Sequence, residues 1–310
     1  MELRHLRYFV AVAEELHFTR AAKRLGMEQP PLSQQIRALE RELGADLFRR
    51  QARAVSLTDA GRAFFDDARQ ILASVQRATD HAQRVARGDL GRIRVGMINS
   101  APFHPFVPRV LREFGGKFPD VALSLDENST PVLAAAVLKE TVDVAFVRPL
   151  LGAEPGLITE ALFDEDILIA LPQGHRLARE KSLRLSRLKA EPFVLFSRPF
   201  GSGLYDEIIN ACRRAGFSPR IGQEASQITS IVNLVAAGLG VSLVPASMQQ
   251  VHSVGVAYRP ILGDAPKARM SLAYRADDAS ATVHNLVTLA RAMVDTMALA
   301  HPRDGSTLAR

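Results

Sequence analysis

Leu3, Leu6, Val10 and Ala13 recur at the spacing of a helix with one buried face. Thr19 is expected to cap a second helix, because its hydroxyl can accept an unpaired backbone N–H; Ala21, Ala22 and Leu25 follow, and Gly26 supplies a stop. A third helix opens at Pro30-Pro31, residues suited to a first turn whose N–H groups have no intrahelical partner. Leu32, Ile36, Leu39 and Leu43 form its buried stripe, and Gly44 ends it. Leu47 to Leu57 then reads as a short hairpin, a wing, with a basic tip. From Thr58 to about Arg87, the residues Phe65, Ala68, Leu72, Val75, Thr79, Ala82 and Ala86 fall in alternating steps of three and four. This is the heptad period of a helix that pairs with another along one seam. A helix lying on its own domain would show a similar face, but one of roughly 45 Å, at 1.5 Å per residue, outruns a small winged domain. Gly88 and Gly91 flank its end and are expected to mark a hinge.

Beyond that point strands alternate with helices. Ile93-Val95-Met97 alternate as a strand, Val107, Val110, Leu111 and Phe114 fit a helix, and Val121-Leu123-Leu125 give another strand. A helix follows Pro131, then the apolar run Val142–Val147, with further strands at Ile167–Leu171, Phe193–Phe196, Val241–Val244 and Met270–Tyr274, and a helix from about Ser280. Such alternation predicts parallel sheets covered by helices, with material for two sub-domains.

The 310 residues exceed one typical domain, and 47% hydrophobic with 23% charged residues describe a chain able to bury cores. The net charge of +6 permits a polyanionic partner without requiring one. A single cysteine, Cys212, excludes an intrachain disulfide framework and suits a reducing compartment. With neither a signal-like apolar run after Met1 nor an apolar stretch of about 18 residues, a cytoplasmic protein without a membrane partner is expected. The eight histidines show no metal-ligand spacing, Cys212 sits beside Ala211 and Ile208 as a small buried hydrophobe would, and phosphate-loop and Gly-x-Ser-x-Gly motifs are lacking. No enzyme activity, metal or cofactor is expected.

On the third helix Ser33, Gln34 and Arg37 sit opposite the apolar stripe and are expected to face outward together. Arg pairs bidentately with guanine, Gln with adenine, and Ser reaches phosphate or base, although a solvated helix face would look the same. The wider combination is more specific. Phe18-Thr19-Arg20-Ala21-Ala22-Lys23-Arg24-Leu25, Gln29-Pro30-Pro31-Leu32-Ser33-Gln34-Gln35-Ile36, Leu39-Glu40-Arg41-Glu42-Leu43-Gly44, Leu47-Phe48-Arg49-Arg50 and Leu57-Thr58-Asp59-Ala60-Gly61 together resemble the LysR-type transcriptional regulators. The segment from Val235 to Pro245 resembles that family's effector domain, and the likeness ends only at the C-terminal tail.

The resemblance implies an α/β chain: a winged helix-turn-helix over 1–58, a linker helix for dimerisation over 59–90, and a periplasmic-binding-protein-like effector domain over 91–300, ahead of a tail. Sub-domain I would span about 91–162 and 267–300, sub-domain II about 163–266. It implies a homodimer through the long helix, often paired into a tetramer, on double-stranded promoter DNA. Gln29, Pro30, Pro31, Ser33, Gln34 and Arg37 would enter the major groove, Arg53 the minor groove, and Thr19 with Arg49 or Arg50 would contact phosphates. Glu28 stands where the family often has a small or neutral residue, and Gln34 where regulators of aromatic-compound degradation often carry Arg. An effector that rearranges the dimers would alter the DNA bend and so polymerase recruitment. The expected function is an effector-responsive activator of a metabolic operon; a repressor, or an architectural DNA-binder with a vestigial cleft, is the alternative.

In open α/β folds ligands bind beyond the carboxyl ends of strands, where helix N-termini favour a carboxylate. Asn99-Ser100, Asn128-Ser129-Thr130 and Gly201-Ser202-Gly203 fit that position, although each is equally an ordinary turn or cap. By similarity to the family, Ser100, Thr130 and Ser202 with Gly203 are the effector candidates, and Gln227, just after the expected cap Ser226, is another. Arg148 ends a strand and either holds the carboxylate of an organic acid or pairs with a structural Asp or Glu.

Overall fold

Helices α1 (Leu3–Glu15), α2 (Phe18–Arg24) and α3 (Gln29–Leu43), with a hairpin of β1 (Phe48–Gln51) and β2 (Ala54–Leu57), build the first of two units in the computed structural model, Met1–Arg84. The structure describes residues 1–51, 54–150, 152, 154–198, 202–251 and 254–300. Phe9 lies at the centre of this unit, fully buried, its ring 5.3 Å from that of Phe48 and 5.0 Å from that of Phe64. The buried residues of α1 are Leu6, Phe9, Ala11, Val12 and Ala13, while Leu3 is exposed and Val10 half-buried. Along α3, Leu32, Ile36 and Leu39 are buried as their spacing predicts, but Leu43 reaches the surface where Gly44 turns left-handed.

The helix α4 (Asp59–Arg87) begins where Thr58 links it to the wing. The Thr58 hydroxyl donates to the Asp46 carbonyl at 2.7 Å and accepts from the Gly61 amide at 2.8 Å, capping the first turn. Past Ala68 no side chain of α4 is buried; Leu72 and Val75 are half-buried and Ile71 and Val85 exposed. A 29-residue helix with an uncovered apolar seam is what the heptad period requires. At Gly88, where a hinge is expected, the backbone is closely packed. Gly88 is buried and left-handed (φ +71°), a Cβ there would lie 2.6 Å from the Thr282 amide nitrogen, and the Asn285 side-chain amide donates to the Arg87 carbonyl at 2.9 Å. The helix end is clamped, because its last carbonyls need partners and α9 (Ala281–Ala300) supplies one.

The second unit, from Val85 onward, holds two cores. In the first, β3 (Leu90–Met97) pairs in parallel with β4 (Asp120–Glu127) and β5 (Val144–Val147), packed by α5 (Phe106–Lys117), α6 (Thr130–Leu138) and α9 around Phe106, Phe114 and Phe146. In the second, β7 (Pro192–Phe196) pairs in parallel with β8 (Arg220–Ala225), beside α7 (Ser202–Arg214), α8 (Ile228–Ala236) and β9 (Ser242–Pro245). Two strands tie the cores together. The first, β6 (Leu157–Pro172), runs along β11 (Lys267–Arg275) with its early residues and along β9 and β10 (Val256–Pro260) with its late ones. All these ties are antiparallel, so the large sheet they run through is mixed rather than parallel, while β7 and β8 stay a parallel pair: a chain that leaves one core and re-enters it must run both ways.

Gly61 marks the tightest contact of the first unit, since a Cβ there would sit 2.0 Å from the Leu47 carbonyl oxygen. Gly61→Ala gains roughly 1 kcal/mol of helix propensity, yet its overpacking is expected to leave a net loss of about 2 kcal/mol. Urea unfolding of the full chain followed by circular dichroism measures it; unchanged stability would mean that the wing base moves freely.

Candidate DNA-reading helix and ligand cleft

The α2–turn–α3 arrangement buries the apolar stripe of α3 in the core of its own unit and leaves its polar face outward. Gln34 and Arg37, three residues apart, are exposed, as are Pro30 and Pro31, and Gln29 is half-buried. Ser33 departs from expectation: it is only 9% exposed, because a small side chain three residues before Ile36 falls inside the buried arc. Thr19 is exposed but is not a cap; α2 starts at Phe18 with His17 in the cap position. Glu28 occupies the cap position of α3, where a carboxylate meets the positive end of the helix dipole. Arg49 is exposed on β1, while the Arg50 side chain and Arg53 lie outside the described residues.

Between the two cores of the second unit lies a cavity of about 260 Å³ at the carboxyl ends of β3, β4, β5 and β7. Ser100, Thr130, Arg148 and Gln227 all line it, so these four candidates meet at one site. Asn99, Asn128, Ser129 and Ser226 add polar groups, and Ile98, Phe196, Leu204 and Ile228 an apolar wall. The first turns of α6 and α8 open into it, and neither has a side-chain cap on its N–H groups. The cap position of α8 is Gln227 itself, one residue later than expected. Gly203 lines a neighbouring hollow with Pro149 instead, and a Cβ there would lie 2.6 Å from the Pro149 carbonyl oxygen; close packing, not ligand contact, requires this glycine. The Ser202 side chain lies outside the described residues.

Arg148 organises the floor of the cavity. It is 3% exposed; one terminal nitrogen donates to the carbonyls of Ala268 (2.8 Å) and Arg269 (3.0 Å), the other to the Ser100 hydroxyl (3.0 Å). Its backbone N–H donates to the Thr130 hydroxyl at 3.2 Å. The Glu165 carboxylate stands 3.9 Å away and accepts the Ser247 amide at 2.5 Å. The pairing with a structural carboxylate, one of the two roles open for Arg148, is thus present, while the guanidinium also borders the cavity. Burial pushes Arg148 down to about 10, against the opposing pull of Glu165, so it stays charged at neutral pH. Arg148 Nε, Glu165 Oε2 and Ser247 Oγ have no hydrogen-bond partner among the described residues. Beside them His104 stacks on Phe163 at 4.0 Å, its imidazole pushed down by burial and by Arg148 while Glu165 opposes. Glu165 and His104 escape sequence reading because they lie on other elements and carry no motif; Glu127, also on the lining, is legible only as the last residue of a strand.

Having accepted from Arg148, the Ser100 and Thr130 hydroxyls keep their own protons to donate. Two such donors and two uncapped helix starts form a surface suited to an acceptor group. Cys212 is buried in the second core, and burial pushes its thiol up to about 11, which leaves it an inert packing group. Among the described residues no cluster of three His, Cys, Asp or Glu could hold a metal, and no helix is long and apolar enough to cross a membrane.

A helix-turn-helix unit followed by a two-core unit with a polar cleft is the plan of a ligand-responsive transcription regulator. A family model described as "Bacterial regulatory helix-turn-helix protein, lysR family" matches residues 3–62, and another, "LysR substrate binding domain", matches residues 86–295. The chain belongs to the LysR family of transcriptional regulators, with a DNA-binding helix-turn-helix and an effector-binding domain. It is 43% identical over 274 residues to the uncharacterized HTH-type transcriptional regulator YnfL of Escherichia coli (strain K12), covering 88% of this chain and 92% of that protein. To the HTH-type transcriptional regulator AlsR of Bacillus subtilis (strain 168) it is 38% identical over 287 residues, 93% and 94% of the two chains. The crystal structure of full-length CbnR complexed with its target DNA superposes with a TM-score of 0.79 at 32% identity, over 95% of this chain and all of that one.

Arg148→Met strands the buried Glu165 carboxylate and is expected to cost about 3–5 kcal/mol of stability. Arg148→Met with Glu165→Gln should recover much of that loss in urea unfolding. Equal losses in single and double variants would show that the two groups do not interact.

Proposed function

We propose that the effector is a small organic acid whose carboxylate sits in the cleft against the Ser100 and Thr130 hydroxyls and the starts of α6 and α8. The observation that carries this reading is that both hydroxyls already accept from Arg148 and so face a ligand as donors. Arg148 itself supplies positive potential from behind them, and Gln227 a contact from the second core. Ser202 remains a candidate by its place at the start of α7, and Gly203 acts through packing.

On DNA, Gln34 and Arg37 would read base edges in the major groove, with Gln29, Pro30 and Pro31 at its entrance and Arg53 in the minor groove. Thr19, Arg49 and Arg50 would contact phosphate; Ser33, given its burial, would shape the helix rather than read a base. The open seam of α4 supports a homodimer that would read half-sites about one helical turn, roughly 34 Å, apart, and dimers paired into a tetramer would span two such sites. The functional segments are then 1–58 for DNA, 59–90 for dimerisation, and 91–300 for the effector. The family resemblance points to activation of a metabolic operon through an acid-dependent change of DNA bend that favours RNA polymerase.

Footprinting of the DNA upstream of the chain's own gene, with and without a panel of organic acids, tests this. A protected region of several helical turns that one acid alters is expected. Thr130→Val should abolish the acid's effect while leaving the basal footprint, whereas Arg37→Ala should weaken specific binding by about 1–3 kcal/mol. An acid response that survives Thr130→Val would overturn the site.

A further inference from the structure

We infer that Glu127 sets the charge class of the effector: the cleft accepts an acid with one carboxylate and rejects one whose far end carries a second. This rests on the proposed use of the cleft for an organic acid. Among the described residues Arg148 and Glu127 are the ionisable ones on the cavity lining, and they are not equivalent. Arg148 is sunk in the floor with Glu165 3.9 Å behind it, so much of its charge is already answered from within the protein. Glu127 is exposed at the opposite condition, at the rim, with no ion-pair partner among the described residues.

Its position is held firmly. Glu127 is the last residue of β4, paired in register with Met97, and the next amide, that of Asn128, donates to the Met97 carbonyl at 3.1 Å. The backbone that carries the carboxylate is therefore fixed one strand away from the Ser100 turn, on the same edge of the sheet. The two hydroxyls that accept from Arg148 and the first turns of α6 and α8 converge on the place of one carboxylate, and the other polar side chains on the lining, those of Asn99, Asn128, Ser129, Ser226 and Gln227, are neutral. Among the described residues a second carboxylate would meet no further cation on the lining, and Glu127 as its one fixed charge besides Arg148. The carboxylate seated at the hydroxyls has their protons and the Arg148 charge close behind it to offset Glu127, whereas a second carboxylate toward Glu127 has neither, and at separations below a Debye length, ~8 Å at physiological salt, that repulsion is not screened away.

Calorimetric titration of the full-length chain with butyrate against succinate, and benzoate against terephthalate, tests the inference in wild type, Glu127→Gln and Thr130→Val. In wild type, the monoacid of at least one pair should bind about tenfold or more tightly than its diacid, a difference of about 1.4 kcal/mol. Glu127→Gln should raise diacid affinity about tenfold and change monoacid affinity less than threefold, and added salt should shrink the wild-type preference. Diacids that bind wild type as well as monoacids, or a ratio unmoved by Glu127→Gln, would overturn it. If Thr130→Val abolishes monoacid binding while Glu127→Gln leaves the ratio intact, only charge selection fails. Monoacid binding indifferent to Thr130→Val, or no binding of any acid to wild type, removes the cleft reading and this inference with it.

Discussion

A guanidinium with 3% of its surface exposed must be surrounded by acceptors, and the centre of the second unit is arranged around that requirement. Arg148 leaves the end of β5 and reaches the carbonyls of Ala268 and Arg269 on β11, the hydroxyl of Ser100 beyond β3, and the neighbourhood of Glu165 on β6. Four separate segments thus agree on one position because one charge has to be satisfied. The cleft inherits its chemistry from that arrangement: Ser100 and Thr130 are oriented by what they accept, and so differ from surface hydroxyls that can turn either way.

The DNA-reading unit depends on a different constraint, the packing of aromatic rings around Phe9. Phe48 fastens the wing to that core and Phe64 fastens the start of α4, so wing, linker and helix-turn-helix share one centre. The polar residues of α3 are placed by subtraction. Leu32, Ile36 and Leu39 take the core, Ser33 is drawn in with them, and Gln34 and Arg37 keep the outer face.

Most of this plan is visible in the order of residues. The stripe of α3, the heptads of α4, the four buried residues of β5, and the meeting of Ser100, Thr130, Arg148 and Gln227 all follow from period, strand-end position or family likeness. What escapes reading has identifiable causes. β8 is polar and largely exposed, so no apolar alternation announces it; β10 is five residues long and ends in proline. The antiparallel ties depend on where the chain returns, which local pattern does not encode. Ser33 and Gly203 are small residues whose place is decided by neighbours, Ile36 and the Pro149 carbonyl, rather than by their own polarity. The partnership of Arg148 with Glu165 joins two elements that only the folded sheet brings together.

The two ties between the cores, β6 and β11, lie side by side and are hydrogen-bonded to each other from Leu157 to Asp166, with a register shift between Met270 and Ser271. A pair of neighbouring straps behaves mechanically like a door on two pins. Two hydrogen-bonded crossovers resist twisting or sliding of one core past the other more than they resist rotation about their common line. The carbonyls that Arg148 holds, those of Ala268 and Arg269, are on that line. Side chains on the walls can then be exchanged to suit a different small molecule without disturbing the paired strands that join the cores.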